Sequence, residues 1–112
     1  MEALILKKPL KINGSEVNTL KYDFDSMTAR DKMNAGKAYK KDGNVISVQE
    51  LDSDYHLYLF AEAVHKADPD IDQLEVINLL SAKDSSRAEK LVRDFFFLDS
   101  EDTSVQSTSG EQ

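Results

Sequence analysis

The chain has no cysteine and no tryptophan, and only four glycines and two prolines. Without cysteine there can be no disulfide, no thiolate nucleophile and no thiolate zinc site, which suits a reducing compartment. Four glycines leave little scope for the loops that cradle phosphate, and neither a nucleophile elbow nor a Cys/His cluster occurs. Apolar runs are a handful of residues long, far short of a membrane span, so neither a spanning segment nor a secretory leader is expected. Basic residues are in the minority, with a net charge of -7. Phosphate neutralisation supplies most nucleic-acid affinity, so a net acidic chain without a dense basic stripe is a poor match for DNA or RNA. The expectation is a soluble intracellular protein that uses no cofactor and binds neither nucleic acid nor membrane.

What is present is enough for one small domain. Of 112 residues, 40% are hydrophobic and 31% charged, an ordinary globular composition that can bury one modest core. Charge is segregated: residues 1–41 carry nine Lys/Arg against five Asp/Glu, residues 42–97 five against twelve, and the tail beyond has four acids and no base.

Leu4, Leu6, Leu10 and Ile12 alternate with Ile5, Lys7, Pro9 and Lys11, the period of a half-buried strand. Asn13-Gly14 suits a tight hairpin, and Leu20, Tyr22 and Phe24 alternate with Lys21 and Asp23 in a second strand. Pro9 cannot donate a ladder hydrogen bond, so it marks an edge facing solvent or a partner, with Lys7, Lys8 and Lys11 discouraging unwanted pairing there. Helical periodicity follows. It predicts a hairpin over 3–24 and helices over about 28–41, 53–67, 69–80 and 84–98, with a short extended piece over Val45 to Val48 and a disordered acidic tail over 99–112. Thr28 with Asp31 reads as a capping box, Asp42-Gly43-Asn44 as a helix stop, and Asp68-Pro69 or Asp72 with Glu75 as the start of the third helix. The second helix presents Leu57, Phe60, Ala61 and Val64 on one face and Tyr55, Tyr58 and Leu59 on another, which suits a central element touched on two sides. The fold class expected is α+β, a β-hairpin followed by a small bundle of about four helices.

Candidate chemistry is sparse. His56 and His65, nine residues apart on one helix, fall on opposite sides and read as surface or boundary residues, His65 within reach of Glu62. The run Asp42 to Leu51 imitates half of an EF-hand loop. Taking Glu50 as its last ligand puts Tyr39, Lys41 and Gly43 where oxygen ligands are needed, and the lysine would repel calcium. Asp68, Asp70 and Asp72 alternate correctly, but Gln73 replaces the required glycine and Leu79 the final ligand. Asp23 and Asp25 read as turn and cap residues. No active site and no metal site is expected. Phe95-Phe96-Phe97 covers more of a helix than one apolar stripe needs, since neighbours project about 100° apart. Phe95 and Phe96 join Ala88, Leu91 and Val92 in the last helix's stripe, which leaves Phe97 off it. Phe96, Phe97 and Leu98 are therefore candidates for a partner-facing surface, with Pro9 at a strand edge and the Arg30, Lys37 and Lys41 line of the first helix.

The order of these features resembles the small tail assembly chaperones of long-tailed bacteriophages, in particular the Mu-like and P2-like group. The resemblance rests on Leu6-Lys7-Lys8-Pro9-Leu10, on the second strand ending Leu20-Lys21-Tyr22-Asp23-Phe24, and on a final helix Ala88-Glu89-Lys90-Leu91-Val92-Arg93-Asp94-Phe95-Phe96. It covers about residues 3–98, and Asp25-Ser26 stands where that family usually has an Arg-Pro or Glu-Pro step. The resemblance implies a non-enzymatic role in the host cytoplasm. Such proteins bind the tape measure protein, keep it soluble, help tail tube subunits assemble around it, and are absent from the mature virion; many also have a longer frameshifted form. A homo-oligomer is compatible with the same surfaces. The alternatives are a structural tail or neck component retained in the virion, and a degenerate EF-hand-like protein.

Overall fold

In the computed structural model, residues 2–45 and 48–97 are described. Strand β1 (Glu2–Ile12) and strand β2 (Ser15–Tyr22) form an antiparallel hairpin. Asn13 and Gly14 both take positive φ, 53° and 79°, as the tight turn between right-twisted strands requires. Leu4, Leu6, Leu10, Ile12, Leu20 and Tyr22 point into the core.

Four helices follow the hairpin. Helix α1 (Ala29–Lys41) starts on a full capping box between Thr28 and Asp31, and Gly43 follows its end with φ 93°. A single 3-10 turn (Gln49–Leu51) leads to α2 (Ser53–Ala67), whose cap Asp52 accepts from the Tyr55 amide. Helix α3 (Gln73–Leu79) is capped by Asp72 with Glu75, and α4 (Ala82–Val92) by Ser81; α4 runs on into a π-helical turn (Arg93–Phe97). Helix α2 is the centre, touching α1, α3, α4 and β2. Its Leu59, Phe60, Ala63 and Val64 are completely buried, and a phenylalanine so placed contributes about 3–5 kcal/mol relative to alanine.

The third helix starts later than 69. Asp68-Pro69 forms a turn in which the Ile71 amide donates to the Asp68 carbonyl, and the reciprocal bonds of Asp72 and Glu75 set the true start. The fourth starts earlier than 84, since Ser81 supplies its cap. Part of the extended piece at 45–48, the tail over 99–112 and Leu98 lie outside the described residues.

One carboxylate ties the two ends of the fold together. The register of the hairpin slips between Ile5 and Leu10, freeing the amides of Lys7 and Lys8 from the ladder. Both donate to Asp84 on α4, at 3.0 and 3.1 Å, across 77 and 76 positions of sequence. Ser81 Oγ donates to the same carboxylate at 3.1 Å. Arg87 donates to it at 2.7 Å and also to the Ile5 carbonyl at 2.9 Å. Pro9, with no N–H to lose, sits exposed inside this irregularity. Asp84 is fully buried. Burial alone would raise its pKa; the Lys8 and Lys7 amides, then Arg87 and Ser81, outweigh that and hold it below the ordinary range.

Candidate partner-binding site

Helix α1 turns Ala35 and Tyr39 inward, against α2. Along its outer side runs an open groove of about 450 Å³, floored by Gly36 and Tyr55 and lined by Lys32, Met33, Lys37 and Lys40. Gly36 has no side chain to fill it; a Cβ there would come only to 3.9 Å from the Tyr55 ring, ordinary contact. None of the three lysines forms an ion pair among the described residues. Met33 is 51% exposed, and Val48 and Leu51, flanking the Gln49-Glu50 step, are exposed too. The groove thus offers an apolar base with a cationic rim, the pattern that accepts an amphipathic helix or an acidic strand.

The chain's last described residues pack beside two of the residues that line this groove, Lys32 and Gln49. His56 is buried on α2, its Nε2 donating to the Gln49 carbonyl at 2.7 Å, and Gln49 also lines the groove. Phe97 stacks on the imidazole, with ring centroids 4.9 Å apart, and the Lys32 ammonium lies 5.8 Å from the Phe97 centroid. With Nε2 carrying the proton, Nδ1 is left as a buried acceptor with no partner. Burial is the main force pulling the His56 pKa down, and positive Arg93 adds to it against the opposing Gln49 carbonyl.

On its other side α1 borders a second, smaller groove of about 290 Å³, lined by Lys41, Asp42, Tyr58, Glu62, Leu74 and Ile77. Here charge is mostly committed. Tyr58 donates its hydroxyl to Asp42, and Gln73 donates to Glu62 at 3.2 Å. Tyr39 donates to Asp52 at 2.9 Å. Burial, reinforced by the neighbouring carboxylates, pushes both tyrosines up to about 12. Burial also raises the Glu62 carboxyl.

Lys37 lines the larger groove, Lys41 the smaller, and Arg30 is exposed near the start of α1. The sequence line Arg30, Lys37, Lys41 is therefore divided between two surfaces, while Lys32 and Lys40, which periodicity did not single out, complete the cationic rim. Phe96 and Phe97 are half-buried against the core. Phe95 is the exposed member of the triplet, at 44%. The reason is the π-helical turn, whose wider winding rotates Phe97 inward onto His56 and Phe95 outward, opposite to the α-helical stripe. Pro9 is exposed, but the amides of Lys7 and Lys8 beside it are taken by Asp84, so they are not open to a partner strand. His56 is core rather than surface, and His65 donates to the Ile71 carbonyl at 2.8 Å instead of reaching Glu62.

Asp23 is a turn residue as expected, accepting from the Ser26 amide. The Asp42 carboxylate of the calcium-like run is engaged by Tyr58. Among the described residues no three His, Asp or Glu side chains converge to hold a metal, and no helix is long and apolar enough to cross a membrane. No family model, no curated protein and no solved structure matches the chain.

Proposed function

We propose that this chain is a phage tail assembly chaperone, a non-enzymatic protein that binds the tape measure protein, keeps it soluble and promotes tail tube assembly around it. The observation that carries the reading is the α1 groove, where lysines without ion-pair partners among the described residues rim an apolar floor. A long helical chain awaiting assembly exposes apolar stripes bordered by charge, and a groove of this kind covers such a stripe reversibly. Exposed Met33 supports reversible binding of varied helical segments, because its unbranched thioether adapts to irregular surfaces. The sequence resemblance points to the same role in the host cytoplasm.

Co-expression tests it. A tape measure fragment that is insoluble alone becomes soluble and co-purifies with this chain; an insoluble fragment beside free, folded chaperone contradicts the proposal. Mass spectrometry of purified virions separates it from a retained tail or neck subunit, because a chaperone is absent from the finished particle.

A further inference from the structure

The geometry points to the chemistry of the α1 groove's occupant: a helix of another protein whose apolar stripe is edged with carboxylates. Counted from Ala29, the lining residues Lys32, Met33, Gly36 and Lys37 follow at the spacing of a single helix face, with Lys40 one turn further on. This is not the face that carries Ala35 and Tyr39 against α2. Met33, 51% exposed, offers apolar contact, and at Gly36 no side chain blocks the approach of a partner's. Lys32, Lys37 and Lys40 set three positive charges along the face, and no acid is among the lining residues. The acids at the two ends of α1 are engaged elsewhere, Asp31 with Lys66 at 2.9 Å and Asp42 with the Tyr58 hydroxyl.

Sign and shape narrow the occupant. The whole chain carries a net charge of -7, so general attraction favours a basic partner, and the groove selects the opposite. A second copy offering the same face would set lysines against lysines, which disfavours pairing. An extended segment gains its affinity from main-chain hydrogen bonds to a sheet edge, and α1, whose backbone is paired within the helix, has none to give. A helix arrives with its own backbone paired, and eight of its residues rise about 12 Å, the rise from Lys32 to Lys40. Acids on successive turns of such a helix, beside its apolar stripe, can therefore meet the three ammonium groups while an apolar side chain enters at Gly36. The partner's identity rests on the chaperone reading: among the apolar stripes that a tape measure protein exposes, the groove takes those with acidic edges.

The test uses synthetic helices that share one leucine stripe and carry Glu, Gln or Lys along its edges, each fluorescently labelled and titrated into the full chain at ~0.05 M and ~0.5 M salt with anisotropy as the readout. At the lower salt the Glu-edged helix is expected to bind at least about tenfold more tightly than the Lys-edged one, with the gap narrowing at the higher salt. In the isotope-labelled chain, the Glu-edged helix should shift the amide signals of Lys32 to Lys40. Two variants change charge and shape separately. Lys37→Glu with Lys40→Glu is expected to reverse the order of the Glu-edged and Lys-edged helices. Gly36→Leu, which fills the floor at constant charge, is expected to weaken the Glu-edged helix at least about tenfold. Four outcomes overturn the proposal: a Lys-edged helix that binds as tightly as the Glu-edged one, no binding by any of the three, unchanged binding in a folded Gly36→Leu variant, or a self-association of the chain that Gly36→Leu abolishes, which makes a second copy the occupant. None of the probes is the tape measure protein. A Lys-edged preference beside a tape measure fragment made soluble by co-expression keeps the chaperone reading and removes the acidic partner.

Discussion

Two regions of this molecule set charged side chains on a helix, and they do opposite things with them. At the bulge of β1, a single carboxylate is fully buried and gathers backbone amides, a hydroxyl and a guanidinium around itself. Along α1, three lysines stand around a groove with no carboxylate in its lining. The first region can be nothing but architecture, because every hydrogen bond made by Asp84 is internal and none is available to another molecule. In the second region, charge is left over after folding. That contrast separates residues that hold the fold from residues that the fold holds out.

Substitutions that fall on one side of this division or the other can break the comparison. Asp84→Ala is expected to have the largest effect, about 3–5 kcal/mol lost in urea unfolding, because it strands the Lys7 and Lys8 amides and the Arg87 charge. A loss below about 1 kcal/mol would show the carboxylate to be replaceable by water. Its folded pKa is depressed, so its contribution is complete above the ordinary aspartate pKa of about 3.9 and disappears as pH falls through the lower folded value. Acid unfolding of the native chain is therefore expected to include a step that Asp84→Asn lacks.

An intermediate case lies in the lining of the smaller groove. Tyr58→Phe removes the hydroxyl given to Asp42 and is expected to cost about 0.5–1.5 kcal/mol. The folded pKa of Tyr58, raised to about 12, makes its contribution complete below about 10 and lost as pH rises through about 12. Alkaline titration of the native chain, followed by tyrosinate absorbance and circular dichroism together, should show unfolding accompanying ionisation of this ring. Ionisation near pH 10 with the fold intact would contradict the buried pairing.

Gly36→Ala gives the smallest change, and one of opposite sign. The site is helical and the added methyl meets only ordinary contact with Tyr55, so stability should rise by about 0.5–1 kcal/mol. Thermal melting measures this. A destabilised variant would mean the groove floor is tighter than the geometry implies.

Much of this frame was legible from local pattern. Asn13-Gly14 at positive φ, the Thr28 and Asp31 box, and the two-sided apolar character of α2 are set by residues a few positions apart, where periodicity and capping rules apply. What escaped was long-range. Nothing near Asp84 in sequence indicates that its partners are the amides of Lys7 and Lys8, and its place three residues after Ser81 reads as an ordinary helix cap. The Phe95 to Phe97 triplet was misread for a geometric reason: an α-helical period was extended through residues that wind as a π-helical turn. His56 looked like a boundary residue because its cover comes from Phe97, on a different helix. The groove was half visible, since Lys37 was marked by spacing on α1, while Lys32 and Lys40 are defined by Tyr55 and Gln49 across the gap.

The central claim is that the α1 lysines are surplus to folding and serve binding. The most direct measurement titrates a soluble helical segment of the tape measure protein into the full chain and into the Lys32→Glu, Lys37→Glu, Lys40→Glu variant, with melting curves recorded for both. The account predicts that the variant stays folded while losing most of its affinity, with Lys37→Glu and Lys40→Glu, both exposed, each costing within about 0.5 kcal/mol, and half-buried Lys32→Glu costing about 0.5–1 kcal/mol more for its lost contact with the Phe97 ring. Equal affinity in a folded variant would contradict it.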